Sequence, residues 1–462
     1  MAQQEQQGQN IEQYREKVTE KIKEVEKPQE LLKKSLDELT KVGGFDLMEV
    51  AIDGVQNLNP ERKARKRIFL SESSKKEDRE SLKKTLQLWA AVLSSSENVM
   101  EMVESCEQSA QVADETLTKN LAKAVESTKD LEKSYRSVAL FFKNTGSNKV
   151  KNVSFVNADP EQLKDLDDTR FIDSIQDELV QNFDRLDLRD NYSLLLVPGY
   201  LGSNKVVEKW AKIAHDNKAM LLTDFEHLDT PDDVMEMFEA ANLTGGDMYR
   251  SNVMMTCNYL VGRDKYKELG EEEELFIPPS SALAGTIYQT LMSQVAAGKK
   301  HGSLSEVDGV CFDLKKSEIA NLEKLGLVPM VNEYGKVMAF SAKTLFNGDN
   351  LGLQTYSVVR VFDYVTKVLM DFLNRRAFEN FNTKTRKEIQ GQIIRFLDSI
   401  TGPGKLIEKF SIKRFEQDRN QKDRIYLDIH MTPYFPAKNF MIKMDGQKGD
   451  DGNEWDTDYE QD

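Results

Sequence analysis

The sequence predicts a mixed α/β (α+β) protein with a helical N-terminal region, a central mixed α/β core, and C-terminal helices followed by a small β-sheet. Up to about residue 145, apolar residues recur at intervals of three and four, which indicates helices. Beyond Lys149, short runs of branched apolar residues alternate with helical patterns, as in a sheet covered by helices. Near the end of the chain, apolar and polar residues alternate one by one, which is typical of half-buried strands.

The N-terminal helices carry two narrow apolar stripes. The first stripe lies in a segment otherwise rich in Glu and Lys and is interrupted at Pro28, and the second ends at the stop signal Gly43-Gly44. The two stripes consist of Ile11, Tyr14, Val18, Ile22 and Val25, and of Leu32, Leu36, Leu39 and Val42. Stripes this thin need a partner helix, so we expect them to pack against another chain. Helical signals then continue from about Ser74 to about Asn144.

Periodicity also predicts the elements of the middle of the chain. The apolar runs expected to form strands are Val153–Val156, Leu194–Val197, Met220–Leu222, Val310–Phe312, Val328–Val331 and Val337–Phe340. Two amphipathic helices follow, with apolar residues at Phe362, Val365, Leu369, Phe372 and Leu373, and at Ile389, Ile393, Phe396 and Ile400. The glycines and proline of Thr401–Gly404 end the second helix.

Three short alternating segments predict strands at the C-terminal end. Their apolar members are Phe410 and Ile412, then Ile425, Leu427, Ile429 and Met431, and finally Phe440, Ile442 and Met444. The first two segments predict a hairpin across the polar turn Gln417–Lys422. The third follows a linker broken by Pro433 and Pro436, so it either pairs elsewhere or completes a self-contained three-stranded sheet. The acidic tail 446–462 is expected to be disordered.

Composition narrows the functional classes. The chain has 462 residues, with 63 Lys and Arg against 78 Asp and Glu, which gives a net charge of −15. This excess argues against a dedicated nucleic-acid or anionic-membrane binder, because both need a net-positive face. The three cysteines, Cys106, Cys257 and Cys311, are far apart and form neither a disulfide framework nor a C-x-x-C site. With no signal-peptide pattern and no long apolar run, we expect a cytoplasmic protein.

The motifs that carry chemistry are weak, so we expect no catalytic, cofactor-binding or metal site. The turn Gly199–Lys205 follows a strand, but its glycines and lysine do not have phosphate-loop spacing. His227 lies in the carboxylate-rich loop Thr223–Asp229, where no second soft ligand accompanies it. The basic run Arg62–Arg67 has no aromatic residues interleaved with it, which indicates a solvated helix face or connector. The sequence therefore predicts a protein that is not an enzyme and needs no cofactor.

A collinear series of segments carries a family resemblance. The segments are Leu131–Val138, Lys151–Asn157, Tyr192–Val197, Phe276–Gly285, Leu325–Val331, Ala339–Ala342, Arg360–Val365 and Ile425–Phe435. Together they resemble the large subunit of the type VI secretion contractile sheath, the TssC/VipB family, from Leu131 to about Asp445. Tyr135 stands where that family usually has tryptophan, and the first 120 residues match poorly, so this chain would be a divergent member.

The resemblance implies a structural function. Large subunits of this family pair with a small sheath subunit (TssB/VipA type) and polymerise helically around a tube of Hcp-type rings on a baseplate. Contraction drives the tube out of the cell, and an AAA+ ATPase (ClpV type) dismantles the contracted sheath. The implied organisation is an outer helical region at 1–145, a middle domain at 146–308, an inner tube-facing domain with a β-arm at 309–445, and the tail at 446–462.

Three sets of residues become site candidates through this resemblance. The strands at Phe410–Phe415 and Ile425–Met431 would form the inter-subunit sheet, and Phe440, Ile442 and Met444 the arm that reaches a neighbour. The N-terminal stripes would face the small subunit or the ATPase. The tube-facing candidates are Arg375, Arg376, Lys384 and Arg386. A single-component phage-tail-like sheath, a nucleotide-binding cytosolic enzyme that uses Gly199–Lys205, and an unrelated cytosolic scaffold remain open alternatives.

Overall fold

The computed structural model describes residues 67–94, 98–146, 150, 152–189, 191–438, 441–447 and 454–460. The chain divides into two compact units, Met1–Leu121 and Ala122–Asp462. The helices from Lys76 onward are α1 (Lys76–Leu93), α2 (Val99–Asn144), α3 (Arg170–Phe183), α4 (Asn204–Asp216), α5 (Pro231–Ala241), α6 (Ser280–Gln289), α7 (Gly298–His301), α8 (Lys316–Lys324), α9 (Leu351–Gln354), α10 (Tyr356–Asn374) and α11 (Thr383–Ser399).

The strands fall into separate sheets. They are β1 (Leu194–Leu196), β2 (Met220–Asp224), β3 (Val253–Cys257), β4 (Leu260–Arg263), β5 (Leu275–Ile277), β6 (Gly309–Val310), β7 (Leu327–Glu333), β8 (Lys336–Ala339), β9 (Ile407–Gln417), β10 (Ile425–Pro433), β11 (Met441–Gln447) and β12 (Glu454–Glu460). The mixed sheet and its covering helices confirm the predicted α/β (α+β) fold class.

The described part of the N-terminal unit is helical, as predicted. A short 3-10 turn, Ser73–Lys75, precedes α1. The Arg79 guanidinium donates hydrogen bonds to the carbonyl oxygens of Phe69 and Glu72, each at 2.7 Å, and so fixes this turn against the helix. The apolar side chains of Leu82 and Leu86 on α1 are exposed.

A five-stranded sheet forms the centre of the second unit, in the order β1-β2-β3-β7-β8. Its first four strands are parallel, and β8 returns antiparallel to β7. Along β2, Leu221 contributes to one hydrophobic core while Met220 and Leu222 contribute to the other, because successive strand residues point to opposite faces. Helices α3, α4, α5 and α8 cover the first core, and α2, α6 and α10 contribute to the second.

Capping residues set the starts of several of these helices. Ser203 accepts a hydrogen bond from the Val206 amide at the start of α4, and Thr230 accepts one from the Asp233 amide before Pro231 opens α5. Next to the main sheet, β4, β5 and β6 form a small antiparallel sheet in the order β5-β4-β6. These elements place the loops that follow β1, β2 and β6.

Two predictions for individual segments are wrong. Val153–Val156, expected as a strand, belongs to no strand of the described residues, and the side chains of Val153, Phe155 and Val156 are exposed. The apolar composition of this segment alone therefore does not make it a strand. The tail expected to be disordered contains β12, which pairs antiparallel with β11. Its sequence Glu454–Glu460 alternates acidic residues with Trp455, Thr457 and Tyr459, a strand period that the acidic composition obscured.

Candidate assembly surfaces

The β9–β10 hairpin packs one face on the C-terminal helices. Ile407 and Phe415 are buried in a core with residues of α10 and α11, and the Phe381 ring meets Phe415 edge-on at 5.6 Å between centroids. The partly buried apolar residues against this core include Phe410, Ile412, Leu427, Ile429 and Met431. The pairing of Leu427 with Phe415 and of Met431 with Phe410 confirms the predicted hairpin, although β9 begins three residues earlier than expected, at Ile407.

The turn of this hairpin is held by its own polar groups. Asp418 accepts hydrogen bonds from the backbone amides of Gln421, at 2.9 Å, and Asn420, at 2.7 Å, and from the Tyr426 hydroxyl at 2.7 Å. These bonds lower the pKa of Asp418 to about 2. The Arg414 guanidinium lies over the Tyr426 ring, 4.0 Å from its centroid. The tip of the hairpin is therefore preformed in the free chain.

Both outer edges of the β9–β10 sheet are open over most of their length. The sheet contains two strands, and apart from one bridge between Thr401 and Ile407 no further strand pairs with it among the described residues. Register shifts occur between Asp428 and Ile429 and between Thr432 and Pro433. Such irregularities twist a strand, and an open strand edge is where a strand of another chain can add.

The second C-terminal hairpin, β11–β12, is separate from the first. Its register runs from Met441 opposite Glu460 to Gln447 opposite Glu454. The alternative of a self-contained three-stranded sheet is therefore wrong, because β11 pairs with the tail and not with β9 or β10. On β11, Ile442 and Met444 are exposed by 47% and 59%. The linker before it is anchored by an ion pair between Lys438 and the buried carboxylate of Glu323 on α8.

The four tube-facing candidates lie around the loop between α10 and α11 but differ in whether their charges are paired with acidic residues. Arg375 pairs with Asp371 at 2.5 Å, and Arg376 is partly buried and pairs with Glu379 at 2.9 Å and Glu388 at 3.1 Å. Both guanidinium groups are therefore paired with carboxylates of the same chain. This leaves the positive charge of Arg376 less available to a partner than the sequence suggested.

Lys384 and Arg386 are exposed in the first turn of α11 and have no acidic partner among the described residues. The helix start is capped by Asn382, whose side-chain oxygen accepts hydrogen bonds from the amides of Lys384 and Thr385. Positive side chains at the positive end of a helix dipole are locally unfavourable. Their placement there does not stabilise the helix.

Phe378, in the same loop, was missed by the sequence reasoning. Its ring is fully exposed, and its backbone is left-handed with φ 67°. A bulky residue in this conformation is uncommon and costs conformational energy. No periodic pattern surrounds it, so only the structure could single it out.

The segment Leu131–Val138 takes part in charge pairing. Glu132 accepts hydrogen bonds from Arg136 at 2.9 Å and from Arg263 of β4 at 3.1 Å, while Arg136 also reaches the Gly262 carbonyl oxygen at 2.8 Å. Arg263 holds the pKa of Glu271 at about 2. These bonds fasten α2 to the small sheet. Tyr135, where the family usually has tryptophan, is largely exposed.

In the turn Gly199–Lys205, the Gly199 amide donates to a carboxylate of the chain itself. The buried carboxylate of Asp224, at the end of β2, accepts hydrogen bonds from the Gly199 amide, the Thr256 hydroxyl, and both the amide and the hydroxyl of Ser280. Burial raises the pKa of Asp224 above its usual value, while these donors act in the opposite direction. An internal carboxylate takes the amide that a phosphate would need, which agrees with an ordinary strand-to-helix turn.

The loop after β2 has a feature that the sequence did not indicate. The His227 ring lies between the rings of Tyr259 and Phe276, at centroid distances of 4.8 and 4.6 Å, and close to Asp229 and Cys311. Burial lowers the pKa of His227, and burial together with nearby carboxylates raises the pKa of Cys311 to about 11.

Several candidate residues lie outside the described residues. They are the whole N-terminal stripe set from Ile11 to Leu39, Phe440 of the arm, and residues 62–66 of the basic run. Within the described helices, none combines the length and the hydropathy of a membrane-spanning segment.

Solved structures similar to this chain include contractile-system proteins, at low identity. The helical sheath protein of the anti-feeding prophage in its contracted state is 18% identical, with a TM-score of 0.44 and coverage of 65% of this chain and 78% of that one. The anti-feeding prophage baseplate is 16% identical, with a TM-score of 0.40 and coverage of 51% of this chain and 62% of that one. A sheath tail protein from Desulfitobacterium hafniense is 11% identical, with a TM-score of 0.39. This match covers 63% of this chain and 59% of that one. Similarity this distant carries no argument by itself.

Family models give the decisive match. No curated protein sequence matches the chain significantly. The N-terminal region of the TssC/VipB-like proteins matches residues 32–121, the type VI secretion system TssC/VipB central domain matches residues 123–347, and the TssC/VipB-like C-terminal domain matches residues 355–461. Because the three models follow one another in order over almost the whole sequence, the chain belongs to the TssC/VipB family of type VI secretion contractile-sheath proteins.

Proposed function

We propose that this chain is the large subunit of a cytoplasmic sheath that pairs with a small sheath subunit of the TssB/VipA type and polymerises around an Hcp-type tube. Contraction of the polymer, which starts from a baseplate, drives the tube out of the cell, and a ClpV-type AAA+ ATPase then recycles the subunits. The observation that carries the proposal is the ordered match to the N-terminal, central and C-terminal family models. The proposed role includes no enzymatic step.

Strand addition at the C-terminal end supplies the contacts between subunits. The β9–β10 sheet presents open edges, and β11 presents exposed Ile442 and Met444 on a strand that pairs only within its own hairpin among the described strands. Backbone hydrogen bonds across an added strand persist while rigid bodies rotate, because the linker before β11 remains covalent. A heterologous contact of this kind, repeated without closing, generates a helical polymer.

The basic end of α11 is assigned to the tube. Lys384 and Arg386 are exposed and unpaired among the described residues, and the exposed ring of Phe378 lies in the adjoining loop. A solvent-facing aromatic ring beside positive charges fits a protein surface with acidic groups, since aromatic anchors dominate interface energies. Residues 309–445 then form the inner domain and 146–308 the middle domain.

The N-terminal region, 1–145, is assigned to the small subunit or the ATPase. On the described helices of the first unit, Leu82, Leu86 and Leu117 are exposed apolar residues. Together with the sequence stripes that begin at Ile11, they fit the need of a thin amphipathic helix for a partner.

Electron microscopy of chains ended at chosen residues tests the proposal. The full chain should form cog-edged hollow tubes when co-expressed with a small sheath subunit of the TssB/VipA type, and discrete particles when expressed alone. A chain that ends at Lys438 keeps the ion pair with Glu323 but loses β11 and β12. It should give a soluble heterodimer without tubes.

A chain that ends at Gln447 is the matched control, because it loses β12 and keeps β11. It should still form tubes if β11 is the exchanged strand. Normal tubes from the chain that ends at Lys438 would contradict the assignment of the arm. Discrete particles from the full chain with its partner would contradict the sheath function itself, and tubes from the full chain alone would indicate a single-component sheath.

A further inference from the structure

Three side chains of metal-ligand type meet beside the carboxyl end of β2. His227 and Asp229 lie in the loop between β2 and α5, and Cys311 follows β6. One ligand atom from each residue lies within 4.8 Å of the other two. From the sequence, His227 lacked a second soft ligand, and the fold brings Cys311 to it from a different sheet.

The surrounding structure holds two of these side chains in place. The His227 ring is fixed between Tyr259 and Phe276, and its buried Nδ1 has no hydrogen-bond partner among the described residues. The Cys311 amide donates to the Tyr259 carbonyl oxygen at 2.9 Å, and its Sγ contacts the Leu228 carbonyl oxygen at 3.8 Å. Asp229 is exposed, which leaves the cluster accessible from solvent.

We propose that His227, Asp229 and Cys311 bind one divalent transition-metal ion of the zinc class. Nitrogen, carboxylate oxygen and thiolate sulfur form a mixed ligand set that suits Zn²⁺ and disfavours Ca²⁺ and Mg²⁺, which take oxygen ligands. In a tetrahedral zinc site, ligand atoms lie about 3.3–3.8 Å apart, so side-chain shifts on the order of 1 Å bring these three atoms to that spacing. The thiol proton leaves to solvent as Cys311 coordinates, and water takes the fourth position.

Such an ion would join two sheets of the second unit. One ligand pair follows β2 of the main sheet, and Cys311 follows β6 of the small sheet. A ligand that binds the folded chain stabilises it by mass action. The inference stands apart from the proposed sheath function, because it concerns only contacts within the free chain.

Cobalt substitution gives a direct test on the full chain. The chain is purified through a tag without histidines, stripped with a chelator and titrated with Co²⁺ alone. We expect a thiolate-to-cobalt charge-transfer band that saturates at about one ion per chain, and retention of Zn²⁺ at the same ratio after dialysis. Cys311→Ser should abolish the band and weaken Zn²⁺ binding at least about 100-fold, and Asp229→Asn should weaken it at least about 10-fold.

Cys106→Ser is the matched control, because Cys106 is an exposed free cysteine elsewhere in the chain. It should leave both the band and the stoichiometry unchanged. Chelation should lower the melting temperature of the unsubstituted chain by about 5 °C and that of Cys311→Ser much less. Asp229 is exposed, so Asp229→Asn keeps the test valid if Cys311→Ser misfolds. A missing charge-transfer band, or Zn²⁺ binding unchanged by both substitutions, would overturn the proposal.

Discussion

The central sheet buries its apolar residues on both faces, whereas the C-terminal hairpins leave some of theirs exposed. In β2 and β3, apolar side chains alternate between two cores, so both faces are buried and each strand has a neighbour on either side. In β9–β10, one face is covered and the outer edges are open, while Ile442 and Met444 of β11 are exposed. The first region completes itself within the chain, whereas the second leaves hydrogen-bonding capacity and apolar surface for another chain.

This difference suits a subunit that must be rigid alone and connected in a polymer. Buried apolar surface in the central sheet fixes the body, because close-packed cores do not deform continuously. In the proposed assembly, the open edges of the hairpins make the connections, since added strands contribute backbone hydrogen bonds without requiring a new core. We therefore expect substitutions in the central sheet to change mainly the stability of the chain, and substitutions in the C-terminal hairpins to change mainly its assembly.

The largest separation is expected between Leu222→Ala and Met444→Ala. Leu222 is fully buried in the central sheet, so its truncation should lower the free energy of unfolding by about 2–5 kcal/mol. Met444 is 59% exposed, so the same truncation should change it by less than about 0.5 kcal/mol and reduce tube formation instead. Urea unfolding and electron microscopy of both variants measure the two effects.

Equal losses of stability in the two variants would remove the distinction between the regions. Loss of tubes in Met444→Ala together with an unchanged free energy of unfolding would support this distinction. Leu222→Ala should still assemble at low temperature if enough folded chain remains, because its side chain contacts no open edge.

Periodicity was sufficient to predict four of the five strands of the central sheet, β1, β2, β7 and β8, but it missed the middle strand β3. Met220–Leu222 and Val328–Val331 are continuous apolar runs because both faces of these strands are buried. At Ile425–Met431 apolar and polar residues alternate, because only one face of that strand packs against a core. Val153–Val156 is also an apolar run but pairs with no strand among the described residues. Composition also concealed β12, because its acidic residues occupy alternate positions of a strand.

The next prediction concerns the buried carboxylate of Asp224. Asp224→Ala leaves the amides of Gly199 and Ser280 and the hydroxyl of Thr256 without their acceptor at a buried position. Unsatisfied buried donors are costly, so we expect a loss of about 2–4 kcal/mol in unfolding free energy. Asp216→Ala, at the exposed end of α4, is the control and should change it by less than about 0.5 kcal/mol. A loss below about 1 kcal/mol would show that the turn after β1 does not depend on this carboxylate.

The candidate sites were less predictable than the fold, because they depend on residues distant in sequence. Arg376 reads as a free positive charge, yet Glu379 and Glu388 neutralise it in the folded chain. Cys311 and His227 have no shared motif, and only the packing of two sheets brings them together. Phe378 belongs to no pattern, since exposure of a single ring depends on how the loop turns.

A smaller effect is expected from Lys367 on α10. Its ammonium donates to the side-chain oxygen of Asn191 and to the carbonyl oxygens of Tyr192 and Lys218 at 2.9–3.0 Å, and burial lowers its pKa to about 8. Between pH 8 and 10.5 the unfolded chain keeps this proton while the folded chain loses it, so the contribution of Lys367 to stability rises with pH. The unfolding free energy should gain about 1–2 kcal/mol from this group between about pH 7.5 and 9.5.

Comparison with Lys367→Met isolates that gain, because tyrosines and other groups that titrate in the same range are common to both chains. The difference in unfolding free energy between the unsubstituted chain and Lys367→Met should grow with pH in favour of the former. A difference that is independent of pH would mean that Lys367 keeps its ordinary pKa in the folded chain.

The smallest effect on stability, with the clearest effect on assembly, is expected from Phe378→Asn. Asparagine tolerates the left-handed backbone at this position, and the lost ring is fully exposed, so the unfolding free energy should change by less than about 0.5 kcal/mol. Tyr334→Asn is the matched control, because Tyr334 is another exposed aromatic residue with a positive φ of 55°. If the loop before α11 faces the tube, Phe378→Asn should lower the fraction of sheaths that contain a tube in electron micrographs, and Tyr334→Asn should not. Equal tube occupancy in both variants would move the tube-facing surface away from the α10–α11 loop, since loss of an interface anchor cannot leave assembly on that interface unchanged.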